Sequence, residues 1–562
     1  MIQKINNRYS FRLSFVFFFF LCAYGFVLFR LYCVQIKNSA FYSQLGKNQY
    51  RTIVKINPPR GAITDRAGKF LAMNKDSIAA FCLPNQIKDV ALILDFFKKH
   101  FPDKPELAEQ LLTHRDKLFM YIERRLSDAK IELIKNSNLE DIHLLCEPSR
   151  YYPIASAGHI IGTTNVDNAG TFGIELLFNE QLSGTQSQYL LQKDARSGYY
   201  HFMQQLQYAG CDGKPLQLTI DSDLQFLLHE QVQETLDAFQ AKEGAAIVMD
   251  PQTGHIIAMV SIPTFDPNNT KNLMMEHTKN KTITENYEFG SVIKIFGALA
   301  ALDEGAVTLD ELIDCENVAT TYIDGRKINT VRSSIAGVIP FEQVIEKSNN
   351  IGIAKVVNRI GPKLYDHYVR MGFGKKTGIE FPGERAGFVN PPSRWSRQSI
   401  FSLSYGYEIT ATLLQLARAF AIIARDGVDV QPTLIMPDKP ACFSKPFAPS
   451  LSRGFSLYSP LVMQQIKQIL ENTVLRGTAK RAQIKGYKVM SKTGTANLLE
   501  NGVYTDKKGL YTCAGIVERD NYQRVIVTFI KESPLPNLYA STVAAPLFER
   551  IAEKILIHDK IL

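Results

Sequence analysis

Glu288-Phe289-Gly290-Ser291-Val292-Ile293-Lys294 is the stretch from which the rest of the chain can be placed. Ile293, Ile295, Phe296, Leu299 and Leu302 follow at largely helical spacing, so Ser291 and Lys294 fall on the first turn of a buried helix and share one face of it. Gly290 lets the backbone turn into that helix without a Cβ clash. A serine hydroxyl becomes a useful nucleophile only with a base in reach, and a lysine serves as that base only where its surroundings favour the neutral amine. The spacing alone is weak, because Ser127-Asp128-Ala129-Lys130 repeats it in a charged segment that reads as a solvated helix face.

Two further polar stretches support Ser291. Lys347-Ser348-Asn349-Asn350 lies between helical segments, with Ser348 57 residues after Ser291, and offers a second hydroxyl and an amide. Lys492-Thr493-Gly494-Thr495 begins 201 residues after Ser291 and follows Tyr487 to Met490, which reads as a short strand. Acyl transfer on a peptide ending in a carboxylate needs a nucleophile, a base, a proton route to the leaving amine, an oxyanion hole and a cation for the terminal carboxylate. Ser291 and Lys294 supply the first two in this reading. Ser348 relays the proton, and Asn350 holds the lysine and the substrate amide through its donor and acceptor pair. Lys492, Thr493 and Thr495 bind the carboxylate, and Gly494 leaves the strand open to close approach. The backbone amides of Ser291 and Thr495 face the developing oxyanion. Lys376-Thr377-Gly378 repeats the tripeptide in a loop rich in turn residues and reads as structural.

The whole chain sets wider bounds. Its 562 residues suffice for two or more domains, and with 45% hydrophobic and 21% charged residues its composition is that of an ordinary globular protein. A net charge of +9 is dispersed through the chain without a basic arm interleaved with aromatics, which argues against nucleic acid as a partner. The eight cysteines form no CxxC pair or zinc-spaced cluster with histidine, so no metal site is expected and buried free thiols are the default. Export would permit a disulfide.

Residues 1–12 carry Lys4, Arg8 and Arg12 and no acid, which favours a cytoplasmic tail. Leu13 to Phe29 is an uncharged run of 17 residues, and apolar character continues to Ile36, so 13–36 reads as one uncleaved transmembrane anchor. Residues 37–215 mix charged helical segments with glycine-rich connections. Pro58 to Gly68 reads as an extended lead-in and a turn, in which Arg60 and Asp65 brace the loop. From 216 to 562 the pattern changes. Asp221 or Ser222 caps a helix, Ala245–Met249 and His255–Val260 form a hairpin, Thr512–Val517 and Arg524–Lys531 form another, and Ala540 to Ile557 is a closing helix. Helices among such strand pairs give an α+β domain with an antiparallel sheet flanked by helices.

SxxK, SxN and KTG in this order resemble the signature of penicillin-binding proteins and serine β-lactamases. Arg60 to Gly68 is similar to the RGxIxDRxG motif of class B penicillin-binding proteins. Gly158 to Gly162 with Gly173-Ile174-Glu175 resembles their second pedestal motif, and Gly244 to Asn268 their DPxTGxIxAMxSxPxFDPN segment. The resemblance covers nearly the whole chain. It implies a penicillin-recognising serine transpeptidase domain on an elongated non-catalytic pedestal, with its catalytic domain outside the plasma membrane. The implied reaction is D,D-transpeptidation of peptidoglycan stem peptides through a Ser291 acyl-enzyme, with D-Ala-D-Ala as donor, β-lactams as inhibitors and no cofactor. The implied partners are a membrane glycosyltransferase and division-complex proteins. Length and a moderate pedestal favour division over elongation. A β-lactamase, a β-lactam sensor and a scaffold with vestigial chemistry are the rivals. Three positions depart from the family pattern: Ser491 and Glu408 stand where glycine is usual, and Leu413 where proline is usual.

Overall fold

The computed structural model describes residues 2–56, 58–117, 119–137, 139–193, 200–270, 273–437, 454–500 and 503–561. Contacts divide the chain into two compact units. The first comprises residues 1–59 and 183–213. It holds the N-terminal helix Ile2–Tyr32, the helix Ser39–Tyr50 and an antiparallel sheet of Arg51–Ile56, Ser187–Lys193 and Tyr200–Tyr208. Within it Ser10–Lys37 is long and apolar enough to cross a membrane, and Phe11 and Phe17 to Phe20 are exposed along it.

The second unit, residues 60–182 and 214–562, carries the three polar motifs. Its N-terminal part is built on the long strand Phe70–Cys82, which pairs with Ile63–Thr64, Met120–Glu123 and Ile142–Tyr151. The lead-in motif is a brace, as its residues indicate, although its ion pair is not Arg60 with Asp65. Arg60 and Arg150 each place Nε 2.6 Å from the buried carboxylate of Glu175, so the two glycine-rich motifs meet through one acid. Asp65 instead accepts the hydroxyl of Ser222 at 2.7 Å and the amides of Ala67 and Lys69, tying this region to the start of the helix α1, Ser222–Phe239. The Asp221 side chain caps α1 by accepting the amides of Asp223 and Leu224.

The central sheet is antiparallel. Its strands are β1 (Glu243–Met249), β2 (Ile256–Ile262), β3 (Lys488–Glu500), β4 (Val503–Arg519) and β5 (Tyr522–Lys531), ordered β2-β1-β5-β4-β3. β1 and β2 are buried along nearly their whole length, which explains their near-continuous apolar sequences. Helix α1 and the closing helix, α6 (Ala540–His558), cover one face through Leu224, Leu228, Val232, Phe548 and Ile551. The other face packs on α4 (Leu413–Ala424), α5 (Pro460–Leu475) runs against β3, and α2 (Lys294–Asp303) packs on α5 and on α3 (Asn350–Asn358); Phe296, Phe420 and Ile466 are buried among them. Both hairpins and the closing helix are therefore legible in sequence. The strand read at Tyr487 to Met490 is present from Lys488 but runs further than that reading, because β3 continues through Lys492 to Thr495 and the motif lies inside it.

Cys82, Cys315 and Cys513 are buried free thiols, as expected. Cys22, Cys146 and Cys211 are exposed, Cys33 is half-buried, and Cys442 falls outside the described residues. Among the described residues, Asp221, Asp223 and His558 form the one acidic group with metal-compatible spacing. Asp221 is already committed to capping α1, and Asp223 pairs with Lys69.

Candidate active site

Gly290–Val292 is a short 3₁₀ turn leading into α2, so Ser291 stands at the mouth of the helix, half-buried, while Lys294 is wholly buried beneath it. Lys294 Nζ donates to the Ser348 carbonyl at 2.6 Å and to its hydroxyl at 3.1 Å. Ser348 sits between the helix Phe341–Glu346 and α3 with φ +56, a conformation that costs a non-glycine residue about 1 kcal/mol or more. Asn349 fixes this junction: its side-chain oxygen caps α3 through the Gly352 amide and its Nδ2 donates to the Ser334 carbonyl.

From the far side Lys492 Nζ reaches the same Ser348 hydroxyl at 3.1 Å and also donates to the Thr493 carbonyl at 2.9 Å. One hydroxyl thus lies between two buried amines. Burial and the neighbouring Lys492 hold the Lys294 amine well below its ordinary range, and burial lowers Lys492 to about 7. Cys513, beside Lys492 in β4, offers no compensating anion, since burial pushes its thiol up to about 12. Among the described residues neither lysine forms a salt bridge with a carboxylate. The site therefore holds one amine readily neutral and a second without a resident counter-ion.

The Ser291 hydroxyl has no hydrogen-bond partner among the described residues and lines a cleft of about 930 Å³. Ser348, Asn350, Thr493 and Thr495 line the same cleft. The Asn350 amide donates to the Asn329 carbonyl at 2.6 Å, and both acceptors of Lys294 belong to Ser348, so this arrangement does not show Asn350 holding the lysine. Thr493 donates its hydroxyl to Thr478, and the Thr495 hydroxyl accepts the Ala540 amide at the start of α6. Gly494 faces the nucleophile turn. A Cβ there would lie 2.3 Å from the Phe289 carbonyl oxygen and 2.7 Å from Val292 Cγ2, so the close approach that glycine permits is that of the Ser291 turn itself.

Sequence reasoning missed one wall of the cleft. The hairpin Thr320–Ile323 and Arg326–Asn329 turns at Asp324-Gly325, both at positive φ, and it brings Arg326 and Lys327 to the cleft, with Arg332 just beyond. An Asp-Gly pair between β-prone residues is the available signal for it. The two other lysine motifs behave as read. Lys130 pairs with Glu123 at the surface, and Thr377 is tied to Glu384 in a loop.

The penicillin-binding protein transpeptidase domain matches residues 244–553, and the penicillin-binding protein dimerisation domain matches 55–218. The chain belongs to the penicillin-binding protein family. Among similar proteins, the peptidoglycan D,D-transpeptidase FtsI of Escherichia coli is 29% identical over 95% of this chain and 90% of its own. The probable peptidoglycan D,D-transpeptidase PenA of Neisseria meningitidis is 28% identical over 91% of this chain and 86% of its own. Crystal structures of penicillin binding protein 3 from Mycobacterium tuberculosis, one complexed with aztreonam and another with ampicillin, match at 25% identity and TM-score 0.67. Each match covers 90% of this chain, with 98% and 97% of the respective neighbour. The α+β class, the antiparallel sheet and the transpeptidase assignment read from the motifs accord with these relatives. In this penicillin-binding protein, SxxK, SxN and KTG are the three stretches that meet around Ser348.

Proposed function

We propose that this chain is a D,D-transpeptidase of septal peptidoglycan, anchored by one helix with its N-terminus cytoplasmic and its catalytic domain outside the membrane. The observation that carries the reading is the Ser348 hydroxyl held between Lys294 and Lys492 beside a Ser291 hydroxyl that has no partner among the described residues. The carboxylate of a D-Ala-D-Ala stem enters against Lys492, Thr493 and Thr495. That places the penultimate carbonyl at Ser291, with the amides of Ser291 and Thr495 facing its oxygen. Neutral Lys294 takes the Ser291 proton as Oγ bonds to the carbonyl carbon. Lys294 returns that proton through the Ser348 hydroxyl to the departing D-alanine nitrogen as the peptide bond breaks. An amine on a neighbouring stem then displaces Ser291 from the ester and forms the cross-link. A β-lactam presents the same carboxylate and acyl carbon, so it acylates Ser291 as well.

Similarity to FtsI supports a place in division, in company with a membrane glycosyltransferase. In this reading residues 37–215 are the non-catalytic region that presents the domain of residues 216–562 to the wall. Labelling with fluorescent penicillin tests the chemistry: the wild type labels, and Ser291→Ala loses the label while keeping its melting temperature. A Ser291→Ala protein that still labels covalently, or that supports septation fully, overturns the proposal.

A further inference from the structure

Glu408 has no role in the acylation steps above, yet it is the one carboxylate among the described residues that line the cleft. The same cleft carries Arg326, Lys327 and Arg332, so its field is strongly cationic away from Glu408. Glu408 has φ +59, a left-handed backbone that a non-glycine residue adopts at a cost. Asn390 Nδ2 donates to Glu408 Oε2 at 2.7 Å, and the Glu408 amide donates to Glu288 Oε1 at 3.2 Å, three residues before the nucleophile. Oε1 of Glu408 has no hydrogen-bond partner among the described residues. Nearby, a Cβ on Gly406 would lie 2.1 Å from the Gly290 carbonyl oxygen, so this wall abuts the Ser291 turn directly.

An amine that resolves an acyl-enzyme reaches the cleft as an ammonium, because alkylamines titrate near 10. A cleft with three lining cations repels it unless a local anion receives it. We propose that Glu408 is the acceptor-binding residue that takes this ammonium and so favours transfer to a cationic amine over water, an inference that rests on the acyl-transfer reading above. The amine then releases one proton to solvent and attacks the ester carbon. As the new C–N bond forms and the C–O bond to Ser291 breaks, its second proton passes to the serine oxygen.

The test uses the full chain, a D-alanyl thioester donor and two acceptors: Nα-acetyl-lysinamide, which is cationic, and hydroxylamine, which is neutral at pH 7. Capture by hydroxylamine on the same preparation corrects for any loss of active enzyme. Glu408→Gln is expected to lower the ratio of lysinamide transfer to hydroxylamine transfer about tenfold through a higher KM for the cationic amine, with Glu408→Asp recovering part of it. Sodium chloride should erode the preference in the wild type and not in Glu408→Gln. An unchanged ratio in Glu408→Gln overturns the inference while leaving the acyl-transfer reading intact. Absence of any Ser291 acyl-enzyme from the thioester in the wild type overturns both.

Discussion

At 376–378 and again at 492–494 the chain spells Lys-Thr-Gly, and the surroundings give the two copies opposite fates. In the first, Lys376 is exposed. Thr377 donates its amide and hydroxyl to the buried Glu384 at 2.5 and 2.6 Å, and Gly378 has φ +80 in an irregular loop. The second lies within β3, with Lys492 fully buried and bonded to Ser348, Thr493 lining the cleft and Gly494 pressed against the Ser291 turn. A strand fixes which way alternate side chains point, and a loop closed by one carboxylate does not. Identical residues thus make a loop clasp in one place and a strand packed against the Ser291 turn and its cleft in the other.

Methionine at each lysine gives the largest expected contrast. It keeps most of the side-chain volume and removes the charge. Losing a buried cation that pairs with a substrate charge costs about 2–5 kcal/mol, so penicillin acylation of Lys492→Met should slow roughly 30- to several-thousandfold. Lys376→Met should acylate at the wild-type rate. Second-order acylation constants measured with a chromogenic cephalosporin decide it, and equal losses at both positions would erase the distinction between the two copies.

The next contrast is in pH. Burial lowers Lys492 to about 7 from an ordinary 10.5, so in the empty cleft it is charged below about 7 and neutral above. Holding the charge in the fold at low pH costs roughly 5 kcal/mol, a penalty fully present below about 7 and gone by 10.5. Burial and the neighbouring Lys492 also hold the Lys294 amine well below its ordinary range, so it supplies a neutral base more readily than a free lysine. Acylation should therefore fall above about 7 as Lys492 loses its charge. The alkaline fall should vanish in Lys492→Arg, whose guanidinium stays charged. A profile with a single group titrating near 10 would break the assignment of both lysines.

These contrasts also show how far the sequence could be read. The order SxxK, SxN, KTG singled out three stretches that the fold does bring together, with Lys294 and Lys492 on the Ser348 hydroxyl and Ser291 in the same cleft. The hairpins at β1 with β2 and β4 with β5 were legible because long apolar runs interrupted by turn residues have few alternatives. The convergence of two amines on one hydroxyl was not, since it depends on Ser348 adopting φ +56 between two helices, which no local pattern announces. Arg60 was readable as a brace, but its partner Glu175 lies 115 residues away, and proximity across that distance is set by the fold alone. The cationic wall at Arg326, Lys327 and Arg332 escaped notice because its residues look like an ordinary solvated hairpin until the cleft is seen beneath them.

The smallest contrast lies at the third position of each copy. Alanine at Gly378 keeps open space, since its Cβ would meet only the Gln431 side-chain amide at 3.3 Å, but φ +80 strains it by about 1 kcal/mol. Gly494 lacks that backbone penalty, yet its Cβ would fall 2.3 Å from a backbone carbonyl oxygen that cannot rotate away. Relief requires β3 or the Phe289 to Val292 turn to move, at about 1–3 kcal/mol by the usual cost of overpacking. That movement carries Ser291 with it. Gly494→Ala should thus lose both melting temperature and acylation rate, whereas Gly378→Ala should lose only some melting temperature. A Gly494→Ala enzyme that acylates normally would mean that β3 does not set the position of the nucleophile, and the second copy would then contribute its lysine alone.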